Sequence, residues 1–465
     1  MSKTLVRLLA IVMVFGLIAA ACGDDDTTTD EPAAEPAEEP AEEPAEEPAE
    51  EPAEEPAGGP IQAHGACGLG TGEPATGEPI RIGGLATNGP GIDFTWITGL
   101  TRAYFDCVND NGGIYGRPIE YITEEEQIDP AQIAGLATKL IEEDQVLGLV
   151  GNTSIIDCSV NGQYYQDQGF YAIIAGVDHT CFTHPNFSAV NMGPYYSSLG
   201  GAQAAVRAGA TGTIVIASPN APGFDLVNSG VTDFAEANGM TGVSILEDVP
   251  IADPAVFAQR VVQEAGEGGA VVLDFTGPEV TPVLQAIEAQ GLIDTVFWAS
   301  STPPNDPAVA AAIGDDWNGK FLINAEFNVL DSGLPDQNHM NEVRAQYAPD
   351  INNSSFAQMG YLAGRVATEA LLSIGEGGEY TAETVNAAFR AVTNFESDIW
   401  CKPWYYESGA GGNVSNNTDY TVVPEGDNMV VFEDCFPIAE LDSAANLLAA
   451  IREAEVAGGL NVGMG

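Results

Sequence analysis

The chain is predicted to be an α/β protein with two lobes, each built on a largely parallel sheet covered by helices. From Pro79 onward, short apolar runs typical of buried strands alternate with longer stretches of helical periodicity. The predicted strands are too many for one sheet of ordinary size, so two sheets are the simplest arrangement. The 465 residues, 45% of them hydrophobic, are enough for a core of that extent.

The first predicted elements show both periodicities. Residues 80–86 form a strand, and apolar residues within 96–108 recur on one face of the helix that follows. A second strand is expected at 118–123 and a third at 146–151. Between them, residues 129–130 (Asp-Pro) have the chemistry of an N-cap and a first helical residue.

The same alternation continues along the chain. Further strands are expected at residues 172–176, 212–218, 242–249, 270–275 and 295–300. Helices are expected near residues 197–207, 224–238, 254–265, 279–290, 336–347 and 355–374.

The chain is strongly acidic, with 68 Asp and Glu against 14 Lys and Arg and a net charge of −54. Binding to phosphate groups requires a surplus of basic residues, so nucleic acid and anionic lipid surfaces are excluded as partners. Residues 23–57 hold 16 of the acids, and Lys3 and Arg7 precede them. The remaining 52 acids and 12 bases still leave 40 excess negative charges on the rest of the chain.

The N-terminus has the features of an export signal followed by a tether. Residues 8–21 are uncharged and mostly apolar, a run shorter than the ~20 residues of a membrane span. Small residues before Cys22 resemble the lipobox of bacterial lipoproteins, so residues 1–21 are predicted to be removed and Cys22 lipidated; ordinary signal cleavage is the alternative. Residues 22–77 are predicted to be a disordered acidic tether, because the prolines that recur within 32–56 prevent helix formation.

Four segments carry a resemblance to a known family: 108–119 (VNDNGGIYGRPI), 128–154, 287–292 (IEAQGL) and 356–364 (FAQMGYLAG). In this order they resemble the extracellular substrate-binding proteins of ABC importers, of the Leu/Ile/Val-binding type. The resemblance implies the type I periplasmic-binding-protein fold, with two Rossmann-like lobes joined by crossover strands. It also implies a small solute bound between the lobes and handed to an ABC transporter permease.

The resemblance places lobe 1 at residues 78–193 and 322–393 and lobe 2 at residues 194–321. The segment 394–465 departs from the family pattern, and we expect it to complete lobe 2 or to cover the hinge.

Ligand-binding residues are implied at strand ends, where open α/β sheets bind their ligands. The candidates are Asn152, Thr153, Ser154, Gly176, Val177, Asp178, Phe275, Thr276, Ser300, Ser301 and Trp96. Residues 152–154 would hold an anionic group of the ligand, and Asp178 or another acid a cationic one. Purely structural roles are the alternatives: residues 152–154 could cap a helix, Asp178 could be a solvated turn residue and Trp96 could be part of the core.

Six cysteines follow Cys22, and an even number in an exported chain indicates three disulfides out of fifteen possible pairings. Order along the chain favours the local pairs Cys67–Cys107, Cys158–Cys181 and Cys401–Cys435. Some members of the family that the chain resembles have a bridge at the place of the second pair. A zinc site made of Cys158, His179, Cys181 and His184 is the alternative, which an oxidising compartment disfavours.

The chain lacks the common catalytic motifs: it has no G-x-S-x-G, H-E-x-x-H or P-loop pattern. We therefore expect no enzyme activity and no cofactor. The predicted function is capture of a small polar solute, of amino acid or amide type, by an extracytoplasmic protein anchored to the cell membrane through lipid on Cys22. The alternatives are a solute sensor of the same fold that acts on a receptor, and a secreted zinc hydrolase.

Overall fold

The computed structural model describes residues 63–392, 394–402, 404–405 and 418–438. The chain divides into residues 1–56 and 57–465, and every described residue lies in the second unit. The predicted signal, Cys22 and most of the predicted tether lie outside the described residues, as do parts of the C-terminal segment. None of the helices described is both long enough and apolar enough to cross a bilayer.

Fifteen strands are described. In chain order they are β1 Ile80–Gly89, β2 Ile92–Asp93, β3 Ile119–Glu126, β4 Gly148–Asn152, β5 Ala172–Ile174, β6 Phe187–Ala189, β7 Thr213–Pro219, β8 Thr241–Glu247, β9 Ala270–Leu273, β10 Phe297–Ser300, β11 Phe321–Ala325, β12 Asn394–Phe395, β13 Trp404–Tyr405, β14 Thr418–Glu425 and β15 Asn428–Pro437.

Twelve α-helices are described. They are α1 Thr95–Asp110, α2 Pro130–Thr138, α3 Asp157–Asp167, α4 Thr180–Thr183, α5 Gly193–Arg207, α6 Phe224–Ala237, α7 Pro254–Ala265, α8 Gly277–Ala289, α9 Pro307–Ala312, α10 Pro335–Tyr347, α11 Ser355–Ser373 and α12 Ala382–Ala391. A π-helical turn at Lys139–Glu143 extends α2, and 3₁₀ turns lie at Ile293–Thr295 and Asp315–Trp317.

The first lobe is built on strands β1–β6. Strands β3, β1, β4, β5 and β6 lie side by side in that order and are all parallel, while β2 pairs antiparallel with the end of β1. The strand order reverses between β1 and β4. Ligand crevices form at such a point in open α/β sheets.

The second lobe repeats this arrangement. Strands β8, β7, β9, β10 and β11 are parallel in that order, and the hairpin of β14 and β15 adds two antiparallel strands next to β11. Residue 321, the predicted end of lobe 2, is the first residue of β11, so this sheet continues past that boundary. The predicted α/β fold with two parallel sheets is confirmed, and the described part of segment 394–465 contributes strands to the second sheet.

Helix starts follow from local sequence. The Asp129 carboxylate accepts hydrogen bonds from the amides of Ala131 and Gln132 at 2.8 and 3.0 Å, and Pro130 occupies the first turn of α2. The Ser354 side chain caps α11 in the same way. These contacts supply acceptors for amides that have no partner within the helix.

Helices α1 and α11 cross closely over the first sheet because α11 carries glycine where they meet. A Cβ atom on Gly360 would lie 2.3 Å from the carbonyl oxygen of Ile97, and one on Gly364 would lie 2.8 Å from Tyr104. Arg365, 1% exposed, lies on the same helix and pairs with the buried carboxylate of Asp336 on α10.

The last part of the predicted tether is held against the first lobe. His64 Nδ1 lies 2.7 Å from Asp336 Oδ2, and the amide of Gly65 donates to Asp336 Oδ1 at 2.9 Å. The hydroxyl of Tyr104 donates to the carbonyl of Ala66. Residues 64–66 are therefore in contact with the folded lobe and do not belong to a free spacer.

The structure contains three disulfides, and they join the pairs favoured by chain order. The pairs are Cys67–Cys107, Cys158–Cys181 and Cys401–Cys435. The first bridge fixes the end of the tether to α1, and the second joins α3 to α4. The third joins the segment before β13 to β15.

Candidate functional site

A cavity lies between the two lobes, at the carboxyl ends of strands from both sheets. We call it the interlobe cavity; its lining residues are Ile92, Phe94, Ile97, Thr153, Ile155, Ala175, Gly176, Val177, Asn191, Gly193, Pro194, Ser197, Pro219, Phe224, Asp274, Phe275, Thr276, Thr302, Pro303, Glu326, Phe356 and Met359. It has about 70 Å³ of free volume. At roughly 10–15 Å³ for each water-sized group, it has room for a solute of a handful of non-hydrogen atoms.

The walls of the interlobe cavity are mainly apolar. Phe94 and Ile97 enter from the first turn of α1 and the loop before it, and Phe356 and Met359 enter from α11. Phe275 closes the cavity from the second lobe and is 2% exposed. Such a lining matches a solute with an apolar body, because a wholly polar solute would lose its water contacts there without replacement.

Of the predicted residues 152–154 in the loop after β4, Thr153 lines the cavity and the other two do not. Its hydroxyl is buried and makes no hydrogen bond. Ser154 instead accepts bonds from the amides of Ile156 and Asp157, both at 3.1 Å, and so caps the start of α3. Asn152 donates to Asp157 at 2.8 Å.

The next predicted loop, residues 176–178, also lines the cavity only in part. Gly176 and Val177 line the interlobe cavity, whereas Asp178 does not. The Asp178 carboxylate accepts from the amides of Ser159 and Thr180, which lie at the starts of α3 and α4. Trp96 is half-buried against the core of the first lobe and is not part of the lining.

In the second lobe, Phe275 and Thr276 line the cavity and Ser300 and Ser301 do not. Ser300 donates to the carbonyl of Leu273 on the neighbouring strand. Ser301 donates to Asp274 Oδ1, so it orients a carboxylate that does face the cavity. The binding roles of these predicted residues stay predictions, and the structure shows which of them are positioned to contact a solute.

Two carboxyl groups in the lining, Asp274 and Glu326, were missed by sequence reasoning. Asp274 is 4% exposed and Glu326 is 2% exposed. Each follows the last residue of a parallel strand, β9 or β11. The predicted strand 270–275 ran through Asp274; the observed strand ends at Leu273, which leaves Asp274 at the strand end facing the cavity. For Asp274 the signal available in the sequence was an acid directly after an unbroken apolar run, whereas Asn324 interrupts the run before Glu326.

Burial perturbs both carboxyls. It raises the pKa of Glu326 to about 8, although the amide of Met192 donates to this carboxylate and partly offsets the effect. Burial also raises the pKa of Asp274 to about 6, against the opposing hydrogen bonds from Ser301 and Ser198. Both groups therefore favour their protonated form more than an ordinary carboxyl group does.

Glu326 lies where the connections between the lobes come together. Its carboxylate accepts from Met192, in the segment that leads from β6 into α5. On the other side is Asp419 of β14, which is fully buried; burial and the nearby charge of Glu326 raise its pKa. Asn324 of β11 donates to Ser197 of α5 at 3.2 Å. The end of β11 is thus tied both to the crossover segment and to the helix that follows it.

A second, smaller cavity adjoins the first and shares Ile155, Val177, Pro194 and Phe224 with it. Its remaining wall is largely aromatic, with His179, Phe182, Tyr195 and Tyr196. Asp178 lies here, as do Pro222 and Gly223. We call it the aromatic vestibule.

Cysteine ligation of a metal is not available in the zinc cluster that was the alternative to the predicted disulfide. Cys158 and Cys181 form a disulfide, which removes both thiolates. Among the described residues, Cys67, Cys107 and His339 also come together, but these two cysteines are joined in a disulfide as well.

Comparisons with known proteins agree with this architecture. The family model described as periplasmic binding protein matches residues 79–423. No curated protein matches the chain in sequence.

Several solved structures share the fold. A fatty acid ABC transporter substrate-binding protein from Thermomonospora curvata aligns with a TM-score of 0.69 and 16% identity, covering 81% of this chain and 96% of that one. A branched-chain amino acid ABC transporter protein from Thermus thermophilus with bound valine gives 0.66 and 17%, covering 78% and 97%. A solute-binding protein from R. palustris in complex with benzoate gives 0.63 and 19%, covering 80% and 99%. From the extent of the family match and the two-sheet fold, the chain belongs to the periplasmic binding protein family, as the sequence resemblance predicted.

Proposed function

We propose that this protein is an extracytoplasmic receptor that captures a small solute in the interlobe cavity and delivers it to an ABC transporter permease. The observation that carries the proposal is the position of the cavity, which is bounded by strand ends of both sheets. A solute bound there contacts both lobes at once. It would therefore favour a closed arrangement by the difference in its affinity for the open and closed forms.

The lining of the cavity restricts the solute to a narrower class than the small polar molecules predicted from the sequence. Its apolar walls and few polar groups favour an amino acid or amide type of ligand with an aliphatic or aromatic body. The solved relatives described above have valine or benzoate bound, or are named for fatty acids. These ligands share an apolar body and one polar end, which supports the proposal without identifying the solute.

Membrane attachment is part of the proposal. A lipid on Cys22 and the acidic segment rich in proline and glutamate that follows it would keep the receptor at the surface near its permease. Cys22 lies outside the described residues, so mass spectrometry of the intact membrane-extracted protein is the test. A mass that corresponds to an unmodified chain would remove the anchor from the proposal.

A thermal-shift screen against amino acids, amides, amines and small carboxylic acids tests solute capture. A ligand at 100 times its dissociation constant adds about 2.7 kcal/mol to the free energy of unfolding. Thr276 lines the cavity but is only half-buried, so T276W should block the cavity and abolish the shift. Thr211 is exposed at the opposite, amino end of β7, and T211W is the matched control. An equal shift in both variants would contradict binding in the interlobe cavity.

The sensor alternative shares the same cavity, so the thermal-shift screen does not separate it from import. The two functions are separated by measuring uptake of the labelled solute in cells that carry the gene and in cells that lack it. Normal uptake without the gene would favour the sensor.

A further inference from the structure

We propose that the interlobe cavity selects small solutes whose polar head is a protonated amine, and that Asp274 and Glu326 hold this head. The inference rests on the proposed capture of a solute in that cavity. It adds the chemical class of the head group and the two residues that recognise it.

The lining of the interlobe cavity contains acidic side chains and no basic ones among the described residues. Among the described residues that line the cavity, Asp274 and Glu326 are the only ionisable ones, and none is a lysine, arginine or histidine. An ionised carboxylate on a ligand would face two acids with no base to pair with, in a buried setting where an unpaired charge is costly. An ammonium group would instead provide both acids with the cation that they lack.

The hydrogen-bonding inventory points the same way. Asp274 Oδ1 accepts from Ser301, while Asp274 Oδ2 is buried with the Ser198 hydroxyl beside it and makes no hydrogen bond of good geometry. The hydroxyl oxygen of Thr153, across the cavity in the first lobe, is also buried without a partner. An ammonium group has three donors and no acceptor, so it can supply hydrogen bonds to acceptors on both lobes.

The spacing of the two acids suggests how a solute fits. Asp274 follows β9 and Glu326 follows β11, with β10 between them. Adjacent strands lie ~4.8 Å apart, so the backbones of the two residues are about 10 Å apart. The two side chains extend from these positions, so an ammonium group between them can contact both carboxylates while the apolar body of the solute lies against Phe94, Phe275 and Phe356.

The protonation of the two carboxyl groups agrees with this assignment. With pKa values raised by burial to about 8 for Glu326 and about 6 for Asp274, Glu326 holds a proton near neutral pH in the absence of a solute. Asp419 is the titratable neighbour of Glu326, to which the Thr302 hydroxyl also donates, and the uncharged Ser301 and Ser198 face Asp274. A bound ammonium group would displace the proton from Glu326, because it favours the charged carboxylate.

The aromatic vestibule offers an approach for a cation. Tyr195 and Tyr196 lie edge to face with ring centroids 5.1 Å apart, and both line it. Aromatic faces attract ammonium groups. An amine passing from the vestibule to the interlobe cavity would therefore meet favourable contacts along its path.

Four small probes of similar shape test the head group: isobutylamine, isobutyramide, isobutyrate and valine. We expect calorimetry at pH 8.5 to show isobutylamine binding at least tenfold more tightly than isobutyrate and valine. Its affinity should fall about tenfold for each pH unit below about 8, because one proton must leave Glu326 on binding. A carboxylate ligand would show the opposite trend, since it pairs with the protonated acid.

Isosteric variants test the two residues. D274N and E326Q should each weaken isobutylamine binding at least tenfold, and E326Q should remove the pH dependence between about pH 6 and pH 8. The control E120Q makes the same charge change on β3, where Glu120 forms only an exposed pair with Arg81, and should leave the affinity unchanged. Circular dichroism and unfolding curves establish that the variants are folded.

The outcomes separate this inference from the proposed function. If isobutyrate or valine binds more tightly than the amine, and T276W abolishes that binding, solute capture stands and amine selection is overturned. Unchanged amine affinity in D274N and E326Q overturns the assignment of the two residues. If none of the four probes binds and the wider screen finds no solute, the proposed function and the inference both fall.

Discussion

Replacing Glu326 with glutamine should change how stability depends on pH. The carboxyl is fully buried, and burial raises its pKa from an ordinary 4.5 to about 8. Between these values the folded protein holds a proton that the unfolded chain has released, so stability falls as pH rises through this interval. The slope is about 1.4 kcal/mol per pH unit, and over the whole interval the loss is at most about 5 kcal/mol.

The E326Q variant lacks this titration but keeps an amide oxygen that can accept from Met192. We therefore expect wild type and E326Q to have similar stability near pH 5, and E326Q to be the more stable of the two by a few kcal/mol at pH 8.5. Urea unfolding followed by tryptophan fluorescence, without added solute, measures both proteins from pH 5 to 8.5. Parallel curves over this range would refute the reasoning, because Glu326 would then titrate alike in the folded and unfolded states.

Three further substitutions test features of the fold and the site. S154A should lower the free energy of unfolding by at least about 1 kcal/mol, because it removes the acceptor for two amides at the start of α3 and the donor to the buried Glu126 carboxylate. Solute affinity should stay unchanged, as measured by calorimetry; weaker binding would instead give Ser154 a ligand contact. G200A should be strongly destabilising, because a Cβ would lie 1.9 Å from Asn324 Oδ1, whereas G135A, in open space on α2, should be neutral or slightly stabilising; equal unfolding midpoints would contradict this packing. Replacing Cys67 and Cys107 together with serine opens a loop of 40 residues and should cost about 4 kcal/mol, and an unchanged melting temperature would argue against this bridge.

Several elements could be predicted from the sequence because their signals are local. The helix at 254–265 was predicted at the bounds that the structure has, since an aspartate, a proline and a helical repeat of apolar residues mark it. Helix α3 was not predicted, because its sequence DCSVNGQYYQD has few apolar residues and no clear stripe. Its position depends instead on the cap from Ser154 and on the bridge from Cys158 to Cys181.

The candidate site was predicted in outline and revised in detail. Strand ends were the right place to look, and Thr153, Gly176, Val177, Phe275 and Thr276 do line the cavity. Asp178 and Ser154 have the residue types of ligand contacts, but their polar atoms are used by neighbouring amides. Whether a polar side chain caps a helix or faces a cleft depends on which backbone groups lie beside it, and a sequence does not contain that information.

By itself, the sequence determined the alternation of strands and helices, the acidic character of the chain and the family to which it belongs. These depend on residue periodicity, composition and short motifs, which are local properties. The tertiary structure alone decided that Asp274 and Glu326 share one apolar cavity, although 52 residues separate them in the chain. Their raised pKa values follow from burial by walls drawn from both lobes, so this electrostatic character arises only when distant segments pack together.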